Sequence, residues 1–326
     1  MLRMFKVTGI SICLYAAAVF SLPAADAQDY PTKPIRMLVG LGVGGAADTT
    51  ARLVAQKLSA DLGQNVVVDN RPGASGVIAY ERVATSAPDG YTIGMVTAAV
   101  TTLPYLQKQL PYDIQRDLQP VALASTTSHV FLVHPAVKAN SIPELIALAR
   151  SQPGKLSYAS TGIGSAQHMA GEYFNYLAKT NIVHVPYKGG AESVRATLAG
   201  QVEVTFGSVV AAGGFISSGK LRGLGITGTK RSPLLPNVPT IGEAGLPGYE
   251  SIAWYGVVAP AAVPKSIVAK LNELIVKGAQ TAEVRDAFNK LGLEPQSHTP
   301  QQFGELIRSE LAKNKKIVEL AGIQSK

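Results

Sequence analysis

Residues 35–62 read IRMLVGLGVGGAADTTARLVAQKLSADL, and the rest of the chain is organised around them. Ile35, Met37, Leu38 and Val39 make a short apolar run of the kind that forms a buried strand. Gly40, Gly42, Gly44 and Gly45 come next, and glycine lets a backbone come close to a ligand. Asp48 and Thr49 then open a segment with Leu53, Val54 and Leu58 at helical spacing. Strand, glycine turn and helix start bring unpaired backbone N–H groups and the positive end of a helix dipole to one point. That combination is a seat for an anion.

A second pattern overlaps it. Gly40, Gly42 and Gly45 fit G-x-G-x-x-G, and Asp69 closes the next apolar run, VVVDN. A dinucleotide-binding unit has this outline, with the acid on the ribose.

The chain has 326 residues, 46% apolar and 16% charged, enough for a large core and against disorder. Residues 1–27 read as a cleavable leader: Arg3 and Lys6, an apolar run from Val7 to Phe20, then Ala25-Asp26-Ala27. The apolar run is short for a membrane span. Export to the periplasm is therefore expected. The single cysteine, Cys13, falls in the leader, so the mature chain would form no disulfide. The net charge is +8, and losing Arg3, Lys6 and Asp26 with the leader lowers it by one. Lysines and arginines are scattered with few aromatics between them, which argues against nucleic acid and for a mild field drawing in small anions.

Strand-like runs alternate with helical ones through the first two hundred residues, the pattern of an α/β fold with parallel pairing. Arg71-Pro72-Gly73-Ala74-Ser75-Gly76 is a second glycine turn, and Thr97 ends the third strand-like run. Ligands in such sheets sit beyond the carboxyl ends of the strands. Ser75 there either donates to an anion or caps the next helix, and Thr97 is either a contact or a satisfied strand-end threonine. Separate strands are expected at 121–124 and 130–133. Ser160-Thr161-Gly162-Ile163-Gly164-Ser165 repeats the opening device before a helix carrying Met169, Tyr173, Phe174 and Leu177. Two such devices suggest two lobes on one cleft. Another strand ends at Gly207-Ser208, the proline-rich stretch 233–247 should wrap the surface, and helices run from Pro264 to the end with breaks near Gly292 and Pro300.

Catalytic patterns are poor. H-E-x-x-H, G-x-S-x-G and the Walker A loop are absent, and the five histidines show no metal-ligand spacing. Ser217 and Lys220 match S-x-x-K without its partner motifs. His168, one turn into a helix, reads as structural. Lys188 reads as either a solvated side chain or a partner for a second carboxylate.

In order from residue 30 to residue 323, the stretches YPTKPIRMLV, GGAAD, LGQNVVVDNRPGASG, PDGYTIG, LPYD, SYASTGIGSAQH, HVPYKGG, LPNVPTIGEAG and the terminal AGI run through the chain. This set resembles the solute-binding receptors of the tripartite tricarboxylate transporters, the Bug family. The resemblance implies a two-lobed, type II-like periplasmic-binding-protein fold of Venus-flytrap kind, with a mainly parallel sheet flanked by helices in each lobe. Its expected boundaries are 28–125 for the first part of lobe 1, 126–226 for lobe 2 and 227–326 for the return to lobe 1. It implies a small organic carboxylate ligand, di- or tricarboxylic or aromatic, delivered by a monomeric receptor to a membrane permease, without cofactor, metal or enzymatic activity. Carried onto this sequence, the ligand-binding loops are Val43-Gly44-Gly45-Ala46, with Asp48 shaping the first, and Ser160-Thr161-Gly162 with Ser165. Ser75, Thr97, Gly207 and Ser208 complete the candidate set. The family usually carries proline and an aromatic where this chain has Gly40-Leu41-Gly42. It often has a polar or acidic residue near Gly207-Ser208, where this chain is small. The alternative is an exported nicotinamide-dependent oxidoreductase using the Gly40–Gly45 turn and Asp69.

Overall fold

The computed structural model describes residues 30–323, so the leader expected at 1–27 lies outside them. The chain opens with the expected βαβ unit: β1 (Ile35–Val39), α1 (Ala46–Leu62) and β2 (Val66–Asn70), the strands parallel with Ile35 opposite Val66. After α2 (Val77–Ala84), β3 (Thr92–Thr97) pairs parallel on the other side of β1. A 3-10 turn over Ala98–Thr101 and the short α3 (Leu103–Leu106) lead to β4 (Leu118–Val133).

β4 corrects the expectation of two strands. It is one strand of 16 residues serving both halves of the molecule. Up to Ser128 it pairs antiparallel with β9 (Ile252–Pro260), and from His129 it pairs antiparallel with β7 (Val204–Ser208). The polar run Ser125-Thr126-Thr127-Ser128 looks like a turn in sequence. It is held extended because Tyr255, Trp254, Ala253 and Ile252 lie opposite it in register.

The second half is built from α4 (Ile142–Ser151), β5 (Ser157–Ser160), α5 (Ala166–Ala178), β6 (Val183–Pro186) and α6 (Gly190–Leu198). After β7 come α7 (Val209–Ser217) and β8 (Arg222–Ile226). Beyond β9 the chain forms α8 (Lys265–Ala279), α9 (Ala282–Lys290), the two-residue β10 (Glu294–Pro295) and α10 (Pro300–Leu320). The strand order is β2-β1-β3-β9-β4-β7-β5-β6, with β8 and β10 also on β4. The outer strands pair parallel, but every contact of β4 and β9 is antiparallel. Each half-sheet is therefore mixed, its parallel strands joined through antiparallel pairing at β4 and β9.

Strand directions follow from these pairings. β3 and β4 are both antiparallel to β9, so β3, β1 and β2 run with β4, and their carboxyl ends point toward Ser128–His129. β7 is antiparallel to β4, and β5 and β6 run with β7, so their carboxyl ends point back toward the same level. The loops after β1, β2, β3, β5 and β7 all emerge at the junction of the two half-sheets.

Each half has its own core. Trp254, Tyr80, Phe303, Leu38 and Val96 pack in the first, with Trp254 edge-on to Phe303 at 5.4 Å between ring centres. Phe131, Phe174, Phe206 and Tyr158 pack in the second, with Phe131 4.9 Å from both Phe174 and Phe206. β4 is buried on both faces there: Phe131 and Val133 face this cluster, while Val130 and Leu132 join Val194, Val209 and Leu221. Full burial of each such side chain is worth roughly 1.5–3 kcal/mol. The return 227–251 is irregular, as its prolines require, but it does more than wrap the surface. Ile241 and Tyr249 enter the second core, and Thr240 bridges Ile226.

Candidate functional site

The first loop, residues 40–45, is held by side chains behind it. α1 starts at Ala46, two residues before the Asp48 expected to open it, because Gly45 takes the extended N-cap conformation without a side-chain cap. Asp48 therefore sits inside the first turn and reaches back. Its Oδ2 accepts from Gly44 N–H (2.9 Å) and Arg52 Nε (3.0 Å), and its Oδ1 accepts from Asn70 Nδ2 (3.0 Å). Asn70 Nδ2 also donates to Leu41 O (3.0 Å) and Arg52 Nη2 to Asn70 Oδ1 (3.1 Å). Burial alone would raise the Asp48 pKa. The hydrogen bonds from Arg52, Gly44 and Asn70 outweigh it and hold the carboxyl below its ordinary value. The buried carboxylate so shapes the loop and uses the Gly44 N–H. Thr49 N–H makes the first full helical bond, to Gly45 O (2.9 Å), so Ala46, Ala47 and Asp48 keep N–H groups without a helical acceptor. Val43, Gly44, Gly45 and Ala46 are all exposed at the junction.

Gly40 has a different task. A Cβ there would lie 2.5 Å from Gly76 Cα, so only glycine lets the turn after β2 close over the first loop. That turn is strained: Ala74 and Ser75 stand in the left-handed region at φ 45° and 58°, between Gly73 and Gly76, also at positive φ. Such non-glycine positions cost roughly 1–3 kcal/mol each and gather at binding sites. Ser75 is exposed and does not cap α2, whose N-cap is Gly76. Thr97 ends β3, nearly buried, opposite Tyr255.

The second loop differs from the first. Its N–H groups at Thr161, Gly162 and Gly164 are taken by side chains of the same segment: Gln167 Oε1 (3.1 Å), Ser160 Oγ (3.0 Å) and His168 Nδ1 (3.0 Å). Ser160 is fully buried, and its hydroxyl also meets His184 Nε2 (2.6 Å) and Gly162 O (3.2 Å). Its place is beneath the loop, not on the loop's outer surface. Gln167 Nε2 donates to Phe206 O (3.0 Å), tying the loop to β7. Ser165 caps α5 by accepting His168 N–H (3.2 Å). Met169 N–H makes the first full helical bond, to Ser165 O (3.0 Å), which leaves Ala166 and Gln167 N–H without helical acceptors. What this loop can offer an anion is the start of α5 and the Thr161 side chain.

Under the second loop lies a buried polar network. His168 and His184 stack at 3.9 Å, Tyr158 donates to Glu172 Oε1 (2.6 Å), and Glu172 Oε1 lies 4.0 Å from His168 Nε2. Burial, reinforced by His184, pushes the His168 pKa down to about 3. Burial takes His184 down to about 4 and raises Glu172. Both imidazoles are thus neutral near pH 7, and His168 Nδ1 must be the unprotonated nitrogen because it accepts from Gly164.

Gly207 is buried within β7 against Leu132, whereas exposed Ser208 caps α7 through Ala211 N–H (3.3 Å). The two halves also touch beside the second loop. A Cβ on Gly164 would lie 2.6 Å from Leu106 Cδ1, and Ala98, Thr102, Ala166 and Asn314 share a cavity of about 20 Å³. That is room for one water. Among the described residues no cluster of three or more His, Cys, Asp or Glu is placed to hold a metal ion.

The loop-holding residues Arg52, Asn70, Gln167 and His184 are absent from the sequence-based set. Only the four-residue spacing of Asp48 and Arg52 on one helix face gives a signal.

Residues 50–323 match the model of the tripartite tricarboxylate transporter family receptor. The chain belongs to this family. Among the receptor's relatives, protein BugT of Bordetella pertussis is 35% identical over 328 residues, 100% of this chain and 99% of BugT. A Rhodopseudomonas palustris protein solved with adipate is 34% identical, with TM-score 0.80 over 91% of this chain and 100% of its own. MatC from the same organism, solved with bound malate, is 30% identical with TM-score 0.76 over 89% and 100%. The two-lobed periplasmic-binding fold of this receptor also explains its G-x-G-x-x-G outline. The local βαβ unit is real, but Asp69, the residue a dinucleotide ribose would need, is paired with Arg36 and Arg71. Burial would raise the Asp69 pKa, but hydrogen bonds from these two arginines hold it below the usual carboxylate range.

Proposed function

We propose that this receptor is an exported solute-binding protein that captures a small organic carboxylate between its lobes and presents it to a tripartite tricarboxylate-type permease. In this reading residues 1–27 are removed on export and the mature chain works in the periplasm. No helix among the described residues is long and apolar enough to cross a membrane.

One observation carries the reading. Strands of both half-sheets point their carboxyl ends at one junction, and in each half a glycine loop and a helix start lie there. Each helix start offers up to ~2 kcal/mol to a partly buried anion. Charge-assisted hydrogen bonds add roughly 1.5–3 kcal/mol each before ordering and desolvation. Micromolar binding, about −8 kcal/mol, is within reach. In this reading the donors are the N–H groups of Gly45, Ala46 and Ala47 in the first lobe and those of Ala166 and Gln167 with the Thr161 hydroxyl in the second. Ser75, Thr97 and Ser208 stand at the same edge. Closure of the lobes, the hinge motion for which periplasmic binding proteins are a standard example, would exclude water and strengthen these bonds.

The test is a thermal-shift and calorimetric screen of the mature protein against mono-, di- and tricarboxylates, since a ligand of the folded state raises its stability. Gly45→Val is the matching variant. A Cβ at Gly45 meets nothing nearer than Gly42 O at 3.7 Å, and its φ is −78°, so the fold should survive while the loop surface is blocked. Unchanged affinity in Gly45→Val would remove the first loop from the site. The second reading, a nicotinamide-dependent enzyme, predicts saturable NADH binding at low micromolar concentration.

A further inference from the structure

Apolar side chains are concentrated at the junction. Among the described residues eleven large hydrophobic side chains are exposed, and five of them stand just after a strand that ends there. Leu41 (37% exposed) and Val43 (74%) come after β1, and Ile78 (45%) lies in the first turn of α2 after β2. Ile163 (41%) comes after β5, and Val210 (46%) lies in the first turn of α7 after β7. They come from both halves of the molecule. An isolated exposed aliphatic side chain needs no explanation, but several that follow strands ending at one junction do.

Two positive side chains at this edge are already engaged. Arg52 is bound to Asp48, and Arg71 to Asp69. Lys188, exposed two residues beyond β6 on the outermost strand, is a cation available to a second carboxylate. The site thus offers backbone donors for one anionic head and aliphatic surface for the body attached to it.

Building on the carboxylate-capture reading, we infer that the preferred ligand is a monocarboxylate with an apolar body, of the alkanoate or arylalkanoate class. The helix starts of α1 and α5 hold the head, and Leu41, Val43, Ile163 and Val210 enclose the tail. A diacid would have to strip water from its second carboxylate against this aliphatic lining, and the receptor should reject it.

The experiment is calorimetric titration of the mature protein with butanoate, hexanoate, octanoate and adipate. Hexanoate and adipate have the same chain length and differ in the second carboxylate. The inference expects affinity to rise about fourfold per methylene until the gap is filled, the gain from burying one methylene. It expects hexanoate to bind at least tenfold tighter than adipate. Val43→Ser and Val210→Asn, both at exposed positions, should flatten the chain-length series, with octanoate losing the most affinity and butanoate the least. Adipate binding tighter than hexanoate, with Lys188→Gln removing that preference, would overturn the inference and leave carboxylate capture standing. Equal weakening of every acid in the two variants would also overturn it, because the aliphatic side chains would then serve only lobe closure. Binding of none of these acids, nor of any other carboxylate, would defeat both readings.

Discussion

Acid should loosen this protein through His168, and the size of the effect can be worked out. The imidazole is buried, stacks on His184, accepts Gly164 N–H at Nδ1 and faces Glu172. Its pKa falls from 6.5 to about 3 in the folded protein. The unfolded chain therefore binds the proton more readily. The stabilisation is complete above pH 6.5 and is lost progressively below it, until the folded group titrates near 3. One pH unit is worth about 1.4 kcal/mol, so going from pH 7 to pH 5 removes roughly 2 kcal/mol through this side chain alone. His168→Asn keeps an acceptor near Gly164 N–H and cannot titrate. At pH 7 it should be less stable, because the ring's packing is gone. Between pH 7 and pH 5 it should lose about 2 kcal/mol less than the natural protein. His129 and His184, both lowered to about 4 by burial, titrate in the same direction in both proteins and so largely cancel. Urea unfolding at the two pH values measures the difference. Equal losses in the two proteins would show that His168 is not held neutral by its surroundings, and the account of the second loop would fail with it.

Asp48→Ala should cost roughly 2–4 kcal/mol in urea unfolding, since it strips partners from Gly44, Asn70 and Arg52, the last half exposed and able to turn to water. It should also lower carboxylate affinity at least tenfold, and undiminished affinity would show that the loop needs no support. Gly171→Ala would bring a Cβ to 2.3 Å from the Tyr158 ring and should lower stability by roughly 1–3 kcal/mol, read as a lower urea midpoint. Ala74→Gly should act the other way. It relieves a left-handed alanine at φ 45° and should raise stability by about 0.5–1 kcal/mol, visible as a higher Tm.

The first loop can be located from sequence because its cause is local: four glycines between an apolar run and a helical pattern. The start of the second helix at Ser165 is legible for the same reason. What local pattern cannot show is which groups are already used. The Thr161 and Gly164 N–H groups look available in sequence and are not, because Gln167 and His168 turn back onto them. Ser160 looks like a ligand contact and is instead the buried partner of His184, 24 residues away. Asn70 ends a strand and ties down a loop 29 residues earlier. These are tertiary pairings without a sequence period. The continuity of β4 is hidden likewise, since only its neighbour β9 makes a run of serine and threonine extended.

That shared strand also constrains how the molecule can come apart. β4 is shared by both half-sheets, and cutting the chain between Ser128 and His129 would divide it and part β1–β3 from β9, the strand that joins them to β4. The first half is then incomplete, because β9 is added only after the chain has built the second half. Denaturation should take both together in one transition, and any exchange of lobes between relatives must carry the partner's stretch of this strand with it.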